Sequence, residues 1–225
     1  MNKRNWIFLF IAILAVSVIG RLLHDRWIDY ISKPFIVLSL TGYFLSQVRL
    51  QTPLKKWILS ALAFSWLGDV LLLFESRDQL FFLFGLSAFL IAHLCYIVFF
   101  HQVRVREKVR GNIWLLIIVV LYYIGLISFL SPYLRDMKLP VRVYGIAISF
   151  MLMLALHMPF IKNKIAGKWM MIGALLFVIS DSVLAMDKFY QPFRLADLVI
   201  ILTYGLAQLF IVEGAIRYLS LNDKR

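Results

Sequence analysis

The chain has 225 residues, 62% of them hydrophobic, and a mean hydropathy of +0.85. It is far too apolar for a soluble domain of that length, and its apolar runs are continuous rather than alternating, which argues against a β-barrel. The net charge of +12 sits in the short gaps between those runs, so it reads as topology signal and contact with anionic headgroups rather than as a nucleic-acid surface.

A helix crossing the ~30 Å hydrocarbon core needs roughly 20 residues. The sequence predicts eight such spans, at about 6–23, 34–50, 57–74, 80–101, 113–131, 140–160, 169–187 and 195–217. The expected fold is an all-α integral membrane protein, a single transmembrane domain over 1–225 with short loops, in the cell (inner) membrane if the source is bacterial. The first span follows Lys3 and Arg4 as a signal peptide would, but no small-x-small cleavage site follows it. The second is short, carries Gln47 and is the weakest of the eight. Trp6, Trp57, Trp114 and Trp169 stand at span starts, where amphipathic rings favour the interface. Pro34 and Pro140 fall in the expected first turns of the second and sixth spans. Cys95, the only cysteine, lies in an apolar run and reads as packing.

Counted on alternate sides, Lys and Arg divide fifteen to nine. The richer side holds both termini and the loops near 49–56, 104–112 and 162–168, so both termini are expected in the cytoplasm. The halves also resemble each other weakly. Ala61-Leu62-Ala63-Phe64 precedes Gly68-Asp69 much as Ala174-Leu175-Leu176-Phe177 precedes Ser180-Asp181, which suggests a parallel four-plus-four duplication.

Ionisable groups within a span cost several kcal/mol (about 2.5–3.5 on insertion scales) and mark function by default. Asp69 and Asp181 meet that test, and both are expected at one depth, a few residues before the outer ends of the third and seventh spans. Candidates to line the same cavity are Ser65, Ser180, Ser182, the pair His93 and Tyr96 on one helix face, and Tyr204 with Gln208 on another. Lys33 would meet a lipid phosphate or mark the interface. His157 lies at another depth, His24 and His101 are interfacial, Asp187 and Asp197 are solvated ends, and Glu213 pairs with Arg217 four residues on. No HExxH, paired CxxC or GxSxG pattern occurs, so neither metal nor cofactor is expected. Two carboxylates in an apolar pocket suit acid-assisted addition of water; they equally suit proton-coupled transport of a lipid or small solute.

The segments SKPF at 32–35, FSWLGDVLLL at 64–73, FGLSAFLIAHLCYI at 84–97, GALLFVISDSVLAMDKF at 173–189 and LTYGLAQLFIVEG at 202–214 resemble the YhhN-like membrane family, whose animal members are lysoplasmalogenases. The resemblance implies an eight-helix enzyme that hydrolyses the vinyl-ether bond of lysoplasmalogens to a fatty aldehyde and a glycerophospho-headgroup. It carries the catalytic role onto Asp69 and Asp181. A lysophospholipid substrate and surrounding membrane lipids are then the expected partners, with no nucleic acid; the oligomeric state does not follow from the sequence.

Overall fold

Five of the helices begin where a polar side chain takes up a free amide group of the first turn. Asp25 accepts from Trp27 and Ile28, Thr52 from Lys55, Asp78 from Leu80, Asn112 from Trp114 and Asn163 from Ala166. The computed structural model describes residues 2–23, 25–49 and 51–222. His24, Lys224 and Arg225, which enter the interfacial and charge assignments above, lie outside them, as does the expected end of the second span at residue 50. Among the described residues the helices are α1 (Lys3–Leu22), α2 (Arg26–Gln47), α3 (Pro53–Leu73), α4 (Gln79–Arg106), α5 (Ile113–Leu130), α6 (Lys138–Ala155), α7 (Lys164–Ala185) and α8 (Ala196–Asn222). A π-helical turn, Met186–Tyr190, continues α7. Seven of the eight are long and apolar enough to cross a membrane. The exception is α2, which has the length but carries Arg26, Asp29 and Lys33.

Two expectations about α2 are corrected. It starts at Arg26 rather than near residue 34, so Pro34 lies inside the helix and not in its first turn. Lys33 is likewise no interfacial marker: its side chain is 13% exposed and turned toward Asp69. Asp29 and Lys33 face protein and cavity, and averaging hydropathy along the chain counts these charged turns as outside the span. Pro140 does fall in the first turn of α6, and Pro53 opens α3.

Helices α1, α2, α3, α4, α6, α7 and α8 pack in sequence into a closed ring, and α8 also leans inward to touch α2 and α3. Helix α5 stands outside the ring against α6. The seams are tight where residues are small. A Cβ on Gly173 of α7 would lie 2.8 Å from the Ala207 carbonyl oxygen of α8, and one on Gly68 of α3 would lie 2.6 Å from the Phe89 ring of α4. The outer surface carries exposed Phe8, Ile11, Leu121, Ile146 and Ile165, which hydrocarbon solvates at no cost. Not all the tryptophans face outward. Trp114 is exposed, whereas Trp6 packs against Gly42 and Trp169 against Phe210.

Polar ties hold both ends. At the end nearer the termini, Glu213 accepts from Lys3, Arg217 and Tyr43, each at 2.6 Å, binding α1, α2 and α8. The expected Glu213–Arg217 pair is thus part of a larger cluster. At the opposite end, Arg21 of α1 pairs with Asp29 of α2 at 3.2 Å and reaches Asp197 of α8 at 3.5 Å.

Candidate active site

Asp69 lies four residues before the end of α3 and Asp181 four before the end of α7, which puts each about 6 Å inside its helix end. Both line one cavity of about 560 Å³, together with Lys33 of α2, Tyr144 of α6, Ser180 of α7 and Tyr204 of α8. The cavity runs from the aspartates to Asp25, Glu75 and Asp197, at the end of the ring opposite the termini.

Asp69 is 1% exposed, and burial of that degree demands partners. Its Oδ2 accepts the Tyr204 hydroxyl at 2.6 Å, and its Oδ1 lies 4.0 Å from the Lys33 ammonium. Asp181 Oδ2 accepts the Tyr144 hydroxyl and stands 3.7 Å from Nε2 of His93. The His93 ring is edge-on to Tyr144 at 5.2 Å and to Phe177 at 4.7 Å, and Phe177 is edge-on to Tyr204 at 5.5 Å. One aromatic cluster therefore spans the gap between the two carboxylate environments.

A second polar chain lies deeper. The Tyr96 hydroxyl donates to Gln208 Oε1 at 2.6 Å, and Gln208 Nε2 donates to Ser65 Oγ at 3.0 Å. These groups are fully buried and satisfied; they join α3, α4 and α8 rather than open onto the cavity. Ser180 lines the cavity and donates to the Ile200 carbonyl. Ser182 turns away, sharing a hydrogen bond with Tyr122 of α5 and donating to the Val178 carbonyl. His157 accepts the Asn112 amide through Nε2 at 3.0 Å in the turn after α6, remote from the cavity. Asp187 accepts the Phe193 amide. Asp197 is largely solvated, as expected of a helix end, yet it also borders the cavity.

Tyr144 is the residue the sequence reading missed. It sits alone in the apolar run VRVYGIAIS, with no acidic or amide neighbour on its face. A signal did exist: Tyr144 precedes Asp181 by 37 residues, as Lys33 precedes Asp69 by 36. No group of three or more His, Cys, Asp or Glu side chains suited to a metal occurs among the described residues.

Residues 28–215 match the YhhN family. The chain belongs to that family. It is 36% identical over 192 residues to human lysoplasmalogenase TMEM86B, covering 85% of this chain and 76% of the relative. Pig lysoplasmalogenase TMEM86B is 32% identical, covering 94% of this chain and 86% of the relative. A lysoplasmalogenase of Mycobacterium bovis is 31% identical, covering 71% of this chain and 60% of the relative. No solved structure matches. The matched region contains both aspartates and all the cavity-lining side chains of α2, α3, α4, α6, α7 and α8 named above, while the whole of α1 precedes it.

Proposed function

We propose that the protein is a membrane-embedded hydrolase that cleaves the vinyl-ether bond of lysoplasmalogens, or of a related lysolipid, to a fatty aldehyde and a glycerophospho-headgroup. The observation that carries this reading is the convergence of two carboxylates from different helices on a single cavity within the ring. The human, pig and mycobacterial relatives above are also named lysoplasmalogenases.

Such a site performs the hydrolysis with acid and base alone. One carboxyl gives its proton to the outer vinyl carbon, and the π pair forms the new C–H bond. The adjacent carbon becomes an oxocarbenium, which the other carboxylate stabilises, as paired carboxylates do in glycoside hydrolysis. That carboxylate takes a proton from water as the water oxygen bonds to the cationic carbon. The hemiacetal then collapses. Its hydroxyl proton restores the acid, the ether oxygen leaves with the proton held by the base, and the aldehyde is released.

The same reading takes all eight helices as spans of one membrane domain, α2 included, because its Asp29 and Lys33 line the cavity and meet Arg21 of α1 and Asp69 of α3. Both termini lie in the cytoplasm by the basic-residue count, so the cavity opens toward the outer leaflet. A duplication underlies the ring. The contacts α1–α2, α2–α3 and α3–α4 recur as α5–α6, α6–α7 and α7–α8, and the junction α4–α6 recurs as α8–α2. Asp69 and Asp181 are 112 residues apart, as are Tyr96 and Gln208, while Lys33 and Tyr144, and His93 and Tyr204, are each 111 apart. Each carboxylate thus meets one group from the preceding helix and one from the other half, at equivalent positions.

The test is mass spectrometry of products after purified protein in detergent meets a panel of lysolipids that includes a vinyl-ether species. Release of aldehyde without any gradient supports the hydrolase. Solute movement that requires a proton gradient, with every lysolipid recovered intact, would instead establish the transporter.

A further inference from the structure

The two carboxylates, although equivalently placed, do not have equivalent neighbours. Asp69 has the Lys33 ammonium at 4.0 Å, with Arg21 beyond it at the cavity mouth. Among the described residues no Lys or Arg comes within ion-pair distance of Asp181; the position equivalent to Lys33 is the neutral Tyr144. A buried carboxylate beside a cation is compensated, and one without a cation is not.

His93 supplies an independent observation. It is fully buried, and its Nδ1 lies 2.7 Å from the Phe89 carbonyl oxygen. A carbonyl only accepts, so Nδ1 carries a hydrogen and a neutral ring presents a lone pair at Nε2. That Nε2 has no hydrogen-bond partner and stands 3.7 Å from Asp181 Oδ2. An ionised Asp181 would set its lone pair against that of the buried His93 Nε2. A proton on Oδ2 removes the conflict, because a carboxyl oxygen can accept from Tyr144 and donate toward His93 at once. Holding that proton on Nε2 instead would leave a fully buried imidazolium beside a carboxylate that is 14% exposed, placing a positive charge on the drier of the two groups, the costlier distribution in so apolar a setting.

Resting on the hydrolase reading for its chemistry, we infer that Asp181 is the resident proton donor and Asp69 the standing carboxylate, with His93 a positioning residue that keeps the proton on Asp181. In the reaction, the O–H bond of Asp181 breaks as the C–H bond at the outer vinyl carbon forms. Asp69 faces the resulting cation, takes a proton from water and passes it to the leaving ether oxygen. The hydroxyl proton of the hemiacetal returns to Asp181, where His93 Nε2 and the Tyr144 hydroxyl receive the carboxyl in its starting orientation. Two similar halves have diverged at Lys33/Tyr144 and His93/Tyr204 to give one acid and one base.

Infrared spectroscopy of the full-length protein in detergent, without substrate, reads this directly through the C=O stretch of a protonated carboxyl and its shift in deuterium oxide. The wild-type protein is expected to show the band, Asp181→Asn to lose it, and Asp69→Asn to keep it. Asp181→Glu should move the band and Asp69→Glu leave it in place, which covers the case in which an Asn variant fails to fold. His93→Leu should shift the band to higher frequency by removing its acceptor, an effect that a purely structural histidine would not produce. A band that follows Asp69, a band indifferent to both aspartates, or no band at all overturns the assignment. Because no turnover is needed, a protein that shows the expected bands yet releases no aldehyde refutes the hydrolase reading separately.

Discussion

Replacing Lys33 with methionine keeps the reach of the side chain and removes its charge. The ammonium lies 4.0 Å from a carboxylate that is 1% exposed; at that separation, and an effective dielectric of about 20, the bare attraction is about 4 kcal/mol. Breaking one side of a buried pair costs about 3–5 kcal/mol for the same reason, since the remaining charge is left uncompensated. If most of that energy serves to keep Asp69 ionised and oriented during turnover, kcat/KM should fall by about 10²–10³ in Lys33→Met. The assay is aldehyde release from a vinyl-ether lysolipid by detergent-solubilised protein, paired with thermal unfolding. Stability supplies a second reading free of catalysis. Lys33→Met and Asp69→Asn should each destabilise, while the double variant should be more stable than the sum of the two losses implies. Wild-type kcat/KM in Lys33→Met, together with additive stabilities, would refute the pairing and the role built on it.

Other outcomes follow from the same geometry. Ser182→Ala should leave aldehyde release within about twofold of wild type and cost about 1 kcal/mol in stability, because its hydroxyl serves Tyr122 and Val178 rather than the cavity. Gln208→Leu strands the buried Tyr96 and Ser65 hydroxyls, so unfolding measurements should show a loss of about 1–3 kcal/mol for each group left unsatisfied. Gly173→Val drives a side chain into the α8 backbone and should abolish the monodisperse peak in size-exclusion chromatography. Tyr204→Phe removes the one hydroxyl donor to Asp69 among the described residues while keeping the ring packing against Phe89 and Phe177. Its kcat should drop about 10- to 100-fold, for a charge-assisted bond of about 1.5–3 kcal/mol, with little change in KM.

The all-helical fold and most helix positions were legible because lipid-facing surfaces leave long apolar runs. Helix α2 was the exception: hydropathy averaging treats Arg26, Asp29 and Lys33 as loop, although Asp29 meets Arg21 and Lys33 meets Asp69. Asp69 and Asp181 stood out because nothing immediately around them in sequence was charged. Proximity along the chain misled at Ser182. Successive residues on a helix turn by about 100°, so Ser180 and Ser182, on either side of Asp181, point in different directions, and only Ser180 reaches the cavity. Tyr96 and Gln208 read correctly as sharing faces with His93 and Tyr204, but a face does not reveal depth, and both prove to be struts beneath the site. Tyr144 was hidden because an isolated tyrosine in an apolar helix resembles packing, and only the spacing shared with Lys33 marks it.

Helix α1 packs between α2 and α8 and contributes Gly20 and Arg21 to the cavity wall, although its sequence has the look of an export leader. A chain trimmed of those residues would lack one stave of the ring and the guanidinium that clasps Asp29 to Asp197. Among the described residues lining the cavity, Lys33 would then be the one remaining cation, while α2 and α8 would still touch behind it. The segment most easily mistaken for a disposable address label thus supplies one of the two cations that line the cavity among the described residues.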